Sequence, residues 1–534
     1  MARADVEAVV TAAEATAPGL LGVVGAGTMG RGIAQLGALA GMEVVLYDPV
    51  PEALDGAVAA IAQDLERSVQ RGRMSAGEVR SALALVKPAG ELGELARCEL
   101  VIEAAPERLD LKAELFAQLP SDAILATNTS SLSVTAIAAL AERPENVVGM
   151  HFFNPPPRMR LVELVAGVQT SARALAVARA TATAMGRTPI DARDDIGFIV
   201  NRCGRPYYTE ALRLVDERIA DPATIDRICR LGAGFRMGPF EVMDLVGLDV
   251  GLDIAESFTH QSYGEPRWKP SPAQRRLVAA GRLGRKSGAG WYDYSEGAGR
   301  PADPASPAGH GGAGRVLTVL GDGAEADGMR ARAAREGFTV VDAVPAGGCE
   351  LVLAFDPAAA HGRVPAGVPL ALSCATGTVA SFGEKHAAGF HVLPPAQDAT
   401  LIELTRVPAT PAATVQAVEA AAAALGLHAE WVDDSPALVL GRIVSQLVNE
   451  ASFAVGAGIG DAQDVDLGLE LGLNHPRGPF AWGERIGLAG VLARLDGLWA
   501  DRHEDRYRAA PLLRRAVALD VPVAALRPRT GSAS

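Results

Sequence analysis

A histidine and a glutamate stand twelve residues apart, around a run of prolines, in V-V-G-M-H-F-F-N-P-P-P-R-M-R-L-V-E-L-V at 147–165. His151 and Glu163 lie in two extended apolar stretches, and the N-P-P-P turn predicts a hairpin-like geometry that brings imidazole and carboxylate together. A carboxylate beside a histidine fixes its tautomer and stabilises the imidazolium, which suits removal of a hydroxyl proton while a hydride leaves the same carbon. Taken alone, the pair has a simpler interpretation, in which His151 is a buried, hydrogen-bonded histidine and Glu163 is a solvated charge at a strand end.

A glycine-rich turn precedes this pair. The stretches L-L-G-V-V, G-A-G-T-M-G, R-G-I-A-Q-L-G-A-L-A-G and M-E-V-V-L-Y-D predict a complete strand, turn, helix and strand. Gly25, Gly27 and Gly30 open the helix, where backbone amides can approach a pyrophosphate with no side chain in the way. Asp48 ends the second strand, where its carboxylate would accept from the ribose hydroxyls of NAD and repel the extra phosphate of NADP. The sequence therefore predicts NAD as the cofactor, in preference to a purely structural glycine turn.

Further polar residues stand next to predicted buried elements. T-N-T-S-S lies at the carboxyl end of a predicted parallel strand, where open α/β sheets bind ligands. Asn128 and Ser130 are therefore candidates for polar contacts with a ligand. The alternative role for Asn128 and Ser130 is to cap the N-terminus of the next helix. Ser131 or Ser133 can also serve as this cap. Asn201, in D-I-G-F-I-V-N-R, sits in an apolar helical stretch, where an amide either bonds a neighbouring helix or faces a ligand.

The second half of the chain repeats the first. G-F-H-V-L-P-P-A-Q-D-A-T-L-I-E-L-T again places a histidine and a glutamate twelve residues apart, and His391 and Glu403 each follow their counterparts by 240 residues. C-E-L-V-L at 349 matches C-E-L-V-I at 98, and G-P-F at 478 matches G-P-F at 238. The repeat therefore includes the helical region as well as the nucleotide-binding one.

The repeat has lost most of the residues that would do chemistry. Gly321 and Gly323 align with the first two glycines, but Ala326 replaces the third and Val344 replaces Asp48. We therefore expect the second copy to bind no nucleotide and its histidine–glutamate pair to have no catalytic role. Three more aligned positions differ between the copies: Asn201 and Gly441, Asn128 and Cys374, and Ser130 and Thr376.

The fold class follows from the order of elements. Buried-strand candidates separated by helical stretches predict a Rossmann-type doubly wound parallel sheet, and helical periodicity after Asp194 predicts an all-α domain, with the pair duplicated in degenerate form. Residues 1–17 are predicted to form a short amphipathic or frayed helix. The predicted boundaries are an N-terminal extension at 1–19, an NAD-binding Rossmann domain at 20–193, a helical substrate or dimerisation domain at 194–295, a linker at 296–314, a degenerate Rossmann-like domain at 315–431 and a second helical domain at 432–534.

The composition excludes several classes of protein. The 534 residues are 49% hydrophobic and 21% charged, which is typical of a globular chain with several domains. A net charge of −13 disfavours nucleic acid and anionic membranes as partners. Five cysteines without C-x-x-C spacing indicate neither disulfides nor a metal site. Apolar runs are shorter than the ~18 residues of a membrane span and the N-terminus carries acids, so we expect a cytoplasmic location.

Seven motifs, in family order, resemble those of the L-3-hydroxyacyl-CoA dehydrogenases: G-A-G-T-M-G-R-G-I-A-Q, T-N-T-S-S-L, H-F-F-N-P, L-V-E-L-V, G-F-I-V-N-R, G-A-G-F-R-M-G-P-F-E and G-R-L-G-R-K-S-G-A-G-W-Y-D-Y. The resemblance implies oxidation of an L-3-hydroxyacyl-CoA by NAD. It makes His151 the catalytic base and Glu163 its partner, and Ser130 and Asn201 orient the hydroxyl and thioester oxygens of the substrate. It also implies that Arg71 offers a cation to the CoA phosphates. The positions that it assigns to the cofactor are Gly25, Gly27, Thr28, Met29, Gly30, Asp48, Glu107, Lys112, Asn128 and Asn154.

The duplicated layout, with R-P-Y-Y-T-E-A at 205 and G-P-F-A-W-G-E-R-I-G near the end, is similar to the long family members of bacterial phenylacetate degradation. Those enzymes oxidise 3-hydroxyadipyl-CoA, and short-chain 3-hydroxybutyryl-CoA is the other substrate that the resemblance allows. A dicarboxylic acyl chain needs a cation at its far end, for which Arg158, Arg160 and Arg205 are candidates. Helical domains of two subunits pack together in this family, so the fused copy implies an internal pseudo-dimer, with homodimerisation optional.

Two other functions are open on these residues. One is an NAD-dependent dehydrogenase of a free hydroxy acid or sugar acid. A dependence of activity on the CoA moiety would distinguish a hydroxyacyl-CoA dehydrogenase from this alternative. The other is a non-catalytic nucleotide-binding protein, which the second half alone would fit.

Overall fold

The computed structural model describes residues 15–120, 122–295 and 298–526. The predicted N-terminal helix falls largely outside these ranges. The chain divides into two compact units. One runs to Arg202 and also contains Ala457–Leu473, whereas the other contains Cys203–Gly456 and resumes at Asn474.

Strands and helices alternate along both halves of the chain. The strands are β1 (Leu20–Val24), β2 (Glu43–Tyr47), β3 (Val86–Ala89), β4 (Leu100–Glu103), β5 (Ile124–Thr127), β6 (Val147–Phe152), β7 (Leu161–Ala166), β8 (Thr188–Arg193), β9 (Val316–Leu320), β10 (Thr339–Val341), β11 (Leu351–Ala354), β12 (Leu370–Ser373), β13 (Ala388–His391), β14 (Leu401–Arg406) and β15 (His428–Trp431). The helices are α1 (Thr28–Leu39), α2 (Pro51–Gln70), α3 (Ala76–Leu85), α4 (Leu109–Phe116), α5 (Val134–Ala138), α6 (Ala172–Ala184), α7 (Val200–Asp216), α8 (Pro222–Ala233), α9 (Pro239–Val246), α10 (Leu248–Gln261), α11 (Pro272–Ala279), α12 (Ala324–Arg335), α13 (Pro357–Ala360), α14 (Ala412–Ala424), α15 (Leu440–Gly456), α16 (Ala462–Leu473), α17 (Pro479–Ile486), α18 (Leu488–Arg502) and α19 (Pro511–Leu519).

The first unit is built on one eight-stranded sheet in the order β3-β2-β1-β4-β5-β6-β7-β8. Its strands are nearly continuous apolar runs because helices cover both faces, and adjacent strand residues such as Val44 and Val45 enter hydrophobic cores on opposite sides. Neighbouring strands are parallel except β6 and β7, which are antiparallel. The predicted Rossmann-type sheet is confirmed, and this antiparallel pair is the hairpin predicted around the prolines.

The second unit repeats this sheet with one strand fewer. Its order is β10-β9-β11-β12-β13-β14-β15, again with a single antiparallel pair, β13 and β14. Within the described residues, β3 and the helix pair α2 and α3 have no counterpart between β10 and β11. The second copy is therefore much shorter than the first between these two strands. None of the described helices is both long and apolar enough to cross a membrane.

In each unit, a helix from one half of the sequence packs on a sheet from the other half. In the first unit, α16 packs on β7 and β8, and a Cβ at Gly472 would lie 2.9 Å from the Leu161 side chain. In the second unit, α8 packs on β14 and β15, and a Cβ at Gly232 would lie 3.5 Å from the Leu401 side chain on β14. Equivalent glycines therefore permit the same close helix-to-sheet approach in both units.

A buried ion cluster joins helices of the two halves inside the second unit. The Arg442 guanidinium on α15 is fully buried and pairs with Glu210 on α7 at 2.6 Å and with Glu217, directly after α7, at 2.9 Å. It also donates to the Tyr507 hydroxyl at 2.7 Å. The positive charge is thus compensated by two carboxylates within the core, where an unpaired charge would be costly.

Arg442→Met is expected to destabilise the protein by about 3–5 kcal/mol, because it leaves the Glu210 carboxylate buried without its main cation. Thermal unfolding of the purified chain measures the effect. Arg508→Met is the matched control, since Arg508 pairs with Glu265 at a half-exposed position and should shift the unfolding temperature little. Equal shifts for both variants would show that the buried cluster does not stabilise the second unit.

Candidate active site

His151 and Glu163 face each other across the β6–β7 hairpin. They are directly paired in register, and His151 Nδ1 lies 2.7 Å from Glu163 Oε2. Glu163 is completely buried, so the interpretation of a solvated strand-end charge is wrong. The other carboxylate oxygen, Oε1, accepts the backbone N–H groups of Ile199 and Val200 at 2.9 and 3.0 Å. These two groups belong to the first residue of α7 and the residue before it, where the partial positive charge of the helix N-terminus favours an ionised carboxylate.

This arrangement fixes the protonation geometry of the imidazole. An ionised carboxylate can only accept, so the Nδ1 of His151 carries the proton and Nε2 keeps its lone pair. Phe153 and Phe198 flank the ring, with centroids at 4.5 and 5.9 Å. The His151 side chain retains 8% exposure, which leaves an opening to a substrate. The site can therefore accept a proton on Nε2 while Glu163 stabilises the resulting imidazolium.

The polar loop after β5 lies beside this pair. Asn128 Oδ1 accepts the N–H of Phe152, the residue after the histidine, at 2.8 Å. Asn201 Nδ2 donates to the Ser130 carbonyl at 3.4 Å, so this amide contacts the loop rather than a neighbouring helix. The cap of α5 is Ser133, whose hydroxyl accepts from Ala136 N–H, as one alternative predicted. That assignment leaves the Ser130 hydroxyl available for a ligand.

Glu107 holds this loop in place. Its Oε1 accepts the Thr129 hydroxyl at 2.7 Å and the Ser130 and Ser131 N–H groups at 3.0 and 3.1 Å. Burial favours a higher pKa for Glu107, but these hydrogen bonds and the Lys112 charge outweigh it and lower its pKa. Glu107 is therefore an ionised anchor that fixes where Ser130 points.

Lys112 is buried and doubly paired. Its ammonium group lies 2.6 Å from Glu103 and 3.4 Å from Glu107. Sequence reasoning missed Glu103, although an acid at the end of the apolar strand E-L-V-I-E was the available signal. It also missed Asp194, whose carboxylate accepts the N–H groups of Val134 and Thr135 at 3.0 and 2.7 Å and thereby anchors α5. Glu103 also accepts the Thr127 hydroxyl at 2.6 Å, so the two acids hold the start of the polar loop and the start of α5 through partners distant in sequence.

The glycine turn has the shape that a dinucleotide requires. Gly25 has φ of +100°, and a Cβ there would meet the Ala104 carbonyl at 2.6 Å. A Cβ at Gly30 would lie only 1.8 Å from the Gly25 carbonyl, whereas one at Gly27 would meet nothing within 4 Å. Gly30 therefore permits the tight turn, and the surface at Gly27 and the exposed Thr28 is open for a pyrophosphate at the start of α1. The residues present fit NAD.

Asp48 stands at the end of β2 with its carboxylate fixed by the backbone. Oδ2 accepts the Ala26 N–H at 2.8 Å, and Oδ1 accepts the Val50 N–H at 2.9 Å. The carboxylate is thereby held beside the glycine turn, where a ribose of a bound dinucleotide would lie. A second phosphate on that ribose would meet a fixed negative charge.

Asp48→Asn is expected to lower the selectivity for NAD over NADP by about 10²-fold, because it removes the charge that repels the phosphate. The ratio of kcat/KM for the two cofactors at saturating acyl-CoA measures this effect. Asp322→Asn in the second glycine turn is the matched control and should leave the ratio unchanged. An unchanged ratio in Asp48→Asn would assign cofactor selection to other residues.

The remaining predicted positions lie around the same edge of the first unit. Met29 is half-buried, and Asn154 is exposed in the turn that follows β6. Arg71 caps the end of α2 at an exposed position. A cavity of about 390 Å³ between α1, α2 and the proline turn is lined by Arg31, Arg67 and Arg158 but not by Arg71. The described residues contain no cluster of three His, Cys, Asp or Glu side chains that could hold a metal ion.

The second copy keeps the histidine–glutamate pair but buries it away from solvent. His391 Nδ1 lies 2.8 Å from Glu403, and Glu403 Oε1 accepts the N–H groups of Val439 and Leu440, as its counterpart does. The His391 side chain is only 1% exposed. Its Nε2 has no hydrogen-bond partner in the described chain, and a Cβ at Gly441 would lie 2.8 Å from it. The pair is therefore a buried structural element without access for a substrate.

The nucleotide turn of the second copy is also changed in charge. Glu325 and Asp327 occupy the first turn of α12, where the first copy carries Met29 and Arg31. Carboxylates at a helix N-terminus satisfy its positive end and repel a phosphate. This change, together with Ala326 and Val344, explains in physical terms why we predict no nucleotide in the second half.

Comparison with known proteins identifies the family. The model of the 3-hydroxyacyl-CoA dehydrogenase NAD binding domain matches residues 20–196, and the model of the C-terminal domain matches residues 197–294 and 438–522. The chain therefore belongs to the 3-hydroxyacyl-CoA dehydrogenase family of NAD-dependent oxidoreductases, and the resemblance inferred from its motifs is confirmed. The second match in the C-terminal half agrees with the repeat found in the sequence.

Three relatives show how far the similarity extends. The 3-hydroxyadipyl-CoA dehydrogenase of Escherichia coli (strain K12) is 35% identical over 505 residues, which cover 93% of this chain and 97% of that protein. A probable 3-hydroxybutyryl-CoA dehydrogenase of Bacillus subtilis (strain 168) is 41% identical over 278 residues, which cover 51% of this chain and 96% of that protein. The crystal structure of 3-hydroxybutyryl-CoA dehydrogenase from Escherichia coli K12 substr. MG1655 covers 95% of this chain and 99% of that one, with a TM-score of 0.79 and 32% identity. Relatives of both the long and the short layout thus exist.

Proposed function

We propose that this protein oxidises an L-3-hydroxyacyl-CoA to the 3-oxoacyl-CoA with NAD, and that His151 is the general base. The observation that carries the proposal is the Nδ1 hydrogen bond from His151 to the buried Glu163 at 2.7 Å, in the same unit as the NAD-binding turn. That bond leaves Nε2 as the proton acceptor. A base with this geometry suits the removal of a hydroxyl proton.

The neighbouring residues suit the rest of the reaction. Bound NAD supplies the hydride acceptor. The Ser130 hydroxyl, held by Glu107 through the loop backbone, donates to the oxygen of the reacting carbon, and the Asn201 amide orients the thioester carbonyl. As the proton moves to His151, the fixed Glu163 carboxylate stabilises the new positive charge.

The substrate class is proposed from charge and from the names of the relatives. Basic side chains around the cavity beside the proline turn, Arg31, Arg67 and Arg158, suit the phosphates of CoA, and the exposed Arg71 extends this basic edge. A relative that aligns over nearly the whole chain is named for 3-hydroxyadipyl-CoA, and a shorter one for 3-hydroxybutyryl-CoA. We therefore propose 3-hydroxyadipyl-CoA as the preferred substrate and 3-hydroxybutyryl-CoA as a slower one.

The assembly and location are proposed on the same basis. The packing of α8 and α16 on sheets of the other half supports an internal pseudo-dimer, in which one chain supplies the contact that two subunits make in the short enzymes. A homodimer of the whole chain is then optional. No nucleic acid or membrane partner is proposed, and a cytoplasmic location stays a prediction.

Steady-state NADH formation tests the proposed function. We expect turnover of L-3-hydroxybutyryl-CoA and faster turnover of 3-hydroxyadipyl-CoA with NAD, and at least 10²-fold less with NADP or with the free hydroxy acids. Higher activity on the free acids would instead support the dehydrogenase of a free hydroxy or sugar acid. No turnover of any of these substrates would contradict the enzymatic proposal.

A further inference from the structure

Strand β4 ends in a buried carboxylate that pairs with a buried lysine. Glu103 and Lys112 are both shielded from solvent, and Lys112 Nζ lies 2.6 Å from Glu103 Oε1. The same oxygen accepts the Ala105 N–H at 2.7 Å, and Oε2 accepts the Thr127 hydroxyl at 2.6 Å. Buried ion pairs contribute little net stability, because the loss of hydration offsets their attraction. Stability alone therefore does not explain why the chain buries these two charges.

The second copy forms its sheet without this pair. In the sheet register, Glu103 lies beside Val24 of β1, and Ala354 lies beside Leu320 of β9. Val24 and Leu320 each precede the first glycine of their turns, so Ala354 is the counterpart of Glu103. The helix after β11, α13, contains only proline and alanine and offers no lysine. The copy that has lost the nucleotide-facing residues has thus lost this ion pair as well, although it keeps the sheet.

The pair lies at the part of the sheet edge that faces the nicotinamide half of the cofactor. The glycine turn after β1 suits the pyrophosphate, and Asp48 after β2 stands where the adenosine ribose would lie. Strands β4 and β5 are on the opposite side of β1 in the strand order. The nicotinamide half is therefore expected to extend over the carboxyl ends of β4 and β5, where Glu103 and Thr127 are the last strand residues.

Glu107 connects the buried pair to this edge. Lys112 Nζ lies 3.4 Å from Glu107 Oε2, and the Glu107 side chain is 36% exposed. The other oxygen of Glu107, Oε1, accepts the N–H groups of Ser130 and Ser131 at 3.0 and 3.1 Å. The Lys112 ammonium group is thus shared unequally, with the closer contact to Glu103. This sharing leaves Glu107 free to hold the polar loop after β5.

We propose that Glu103 is a positioning residue for bound NAD, which acts through Lys112 and Glu107. The inference rests on the proposed function, in which NAD accepts the hydride, and deepens it by assigning a residue that supports the cofactor site. Without the charge of Glu103, Lys112 has Glu107 as its remaining carboxylate partner and draws that carboxylate away from the Ser130 and Ser131 amides. The loop at the carboxyl end of β5 is then no longer fixed where the nicotinamide half binds.

Amide hydrogen exchange of the protein without cofactor tests the positioning itself. In Glu103→Gln, we expect the Ser130 and Ser131 amides to exchange about 10-fold faster than in the wild type, because Glu107 no longer holds them. Thr127→Val is the matched control, since it removes a hydrogen bond of Glu103 but leaves its charge beside Lys112. In that variant, exchange of the two amides should stay within a factor of about two of the wild-type rate. Equal exchange in Glu103→Gln and the wild type would overturn the inference.

A double-mutant cycle with NADH tests whether Glu103 acts through Lys112. We expect titration calorimetry to show that Glu103→Gln raises the Kd of NADH about 10-fold. In the Lys112→Met background, the same substitution should cause no further weakening, because the ammonium group that it would release is absent. The double variant buries neither charge, so it should fold even if Lys112→Met does not, and it should bind NADH at least as tightly as Glu103→Gln does.

Neither measurement depends on turnover, so failure of the inference and failure of the proposed function are distinguishable. An unchanged Kd in Glu103→Gln, equal weakening in both backgrounds, or a double variant that binds NADH more weakly than Glu103→Gln would overturn the role of Glu103. In each of these cases, the wild-type protein would still bind NADH, and the proposed function would stand. Absence of NADH binding by the wild-type protein would contradict the proposed function itself.

Discussion

Replacement of His151 by Asn is expected to lower kcat by about 10³-fold, while His391→Asn leaves kcat unchanged. The asparagine amide can still donate to the buried Glu163 carboxylate, so the hairpin should keep its hydrogen bond. What it removes is the Nε2 lone pair, the only proton acceptor that the pair offers. Steady-state NADH formation at saturating NAD and acyl-CoA measures the loss.

His391→Asn is the internal control because the same substitution is made in the same local structure. His391 donates to Glu403 at 2.8 Å in the repeated hairpin, but its side chain is closed off from solvent. A fall in kcat with His391→Asn comparable to that with His151→Asn would show that the second copy takes part in catalysis. A His151→Asn enzyme with near-normal kcat would remove His151 from the role of base.

Glu163→Gln is expected to lower kcat by about 10²- to 10³-fold with little loss of stability. The glutamine carbonyl can still accept the N–H groups of Ile199 and Val200, which the carboxylate now accepts at 2.9 and 3.0 Å. Its amide nitrogen, however, donates to His151 Nδ1 and thereby forces the proton onto Nε2. The imidazole then holds the wrong tautomer for a base, and the imidazolium loses its counter-charge.

Glu403→Gln separates this effect from any general change in folding. Glu403 makes the equivalent bonds to Val439 and Leu440, at 2.8 and 3.0 Å. We expect Glu403→Gln to match Glu163→Gln in thermal unfolding and to match the wild type in kcat. If the two glutamine variants lose equal amounts of activity, the carboxylate at 163 has a structural role only.

The sequence predicted those parts of the site that depend on local patterns. The twelve-residue spacing and the prolines place His151 and Glu163 on adjacent antiparallel strands, and their direct register confirms the predicted hairpin. A helix follows the glycine turn, as the strand–turn–helix pattern predicted, although it begins at Thr28, three residues before the predicted helical stretch. Both features depend on residues close in sequence, for which periodicity and turn chemistry are informative.

Other features arise only when distant segments meet. Glu107 reaches the Thr129–Ser131 loop, and Asp194 reaches the start of α5 across about sixty residues of sequence. Arg205 was one of three candidate cations by charge alone, and it is buried, whereas Arg158 and Arg160 are exposed. Burial and pairing depend on tertiary packing, which no local pattern encodes.

The degenerate copy shows which interactions serve folding rather than chemistry. Glu403 still anchors the start of α15, and Asp434 still accepts the N–H groups of Val379 and Ala380 as Asp194 does at α5. The nucleotide-facing positions have instead acquired Glu325 and Val344. Retention of the anchors and loss of the ligand-facing residues is the pattern expected of a copy kept for its packing surfaces.

Counting the NADH molecules that one chain binds tests most directly whether the first half alone carries the chemistry. Titration calorimetry of the full-length protein with NADH gives this number. We expect one NADH per chain, with binding lost in Gly30→Val, because a side chain there meets the Gly25 carbonyl, and unchanged in Ala326→Val. Two NADH molecules per chain, or binding that survives Gly30→Val, would contradict a catalytic first half paired with a nucleotide-free second half.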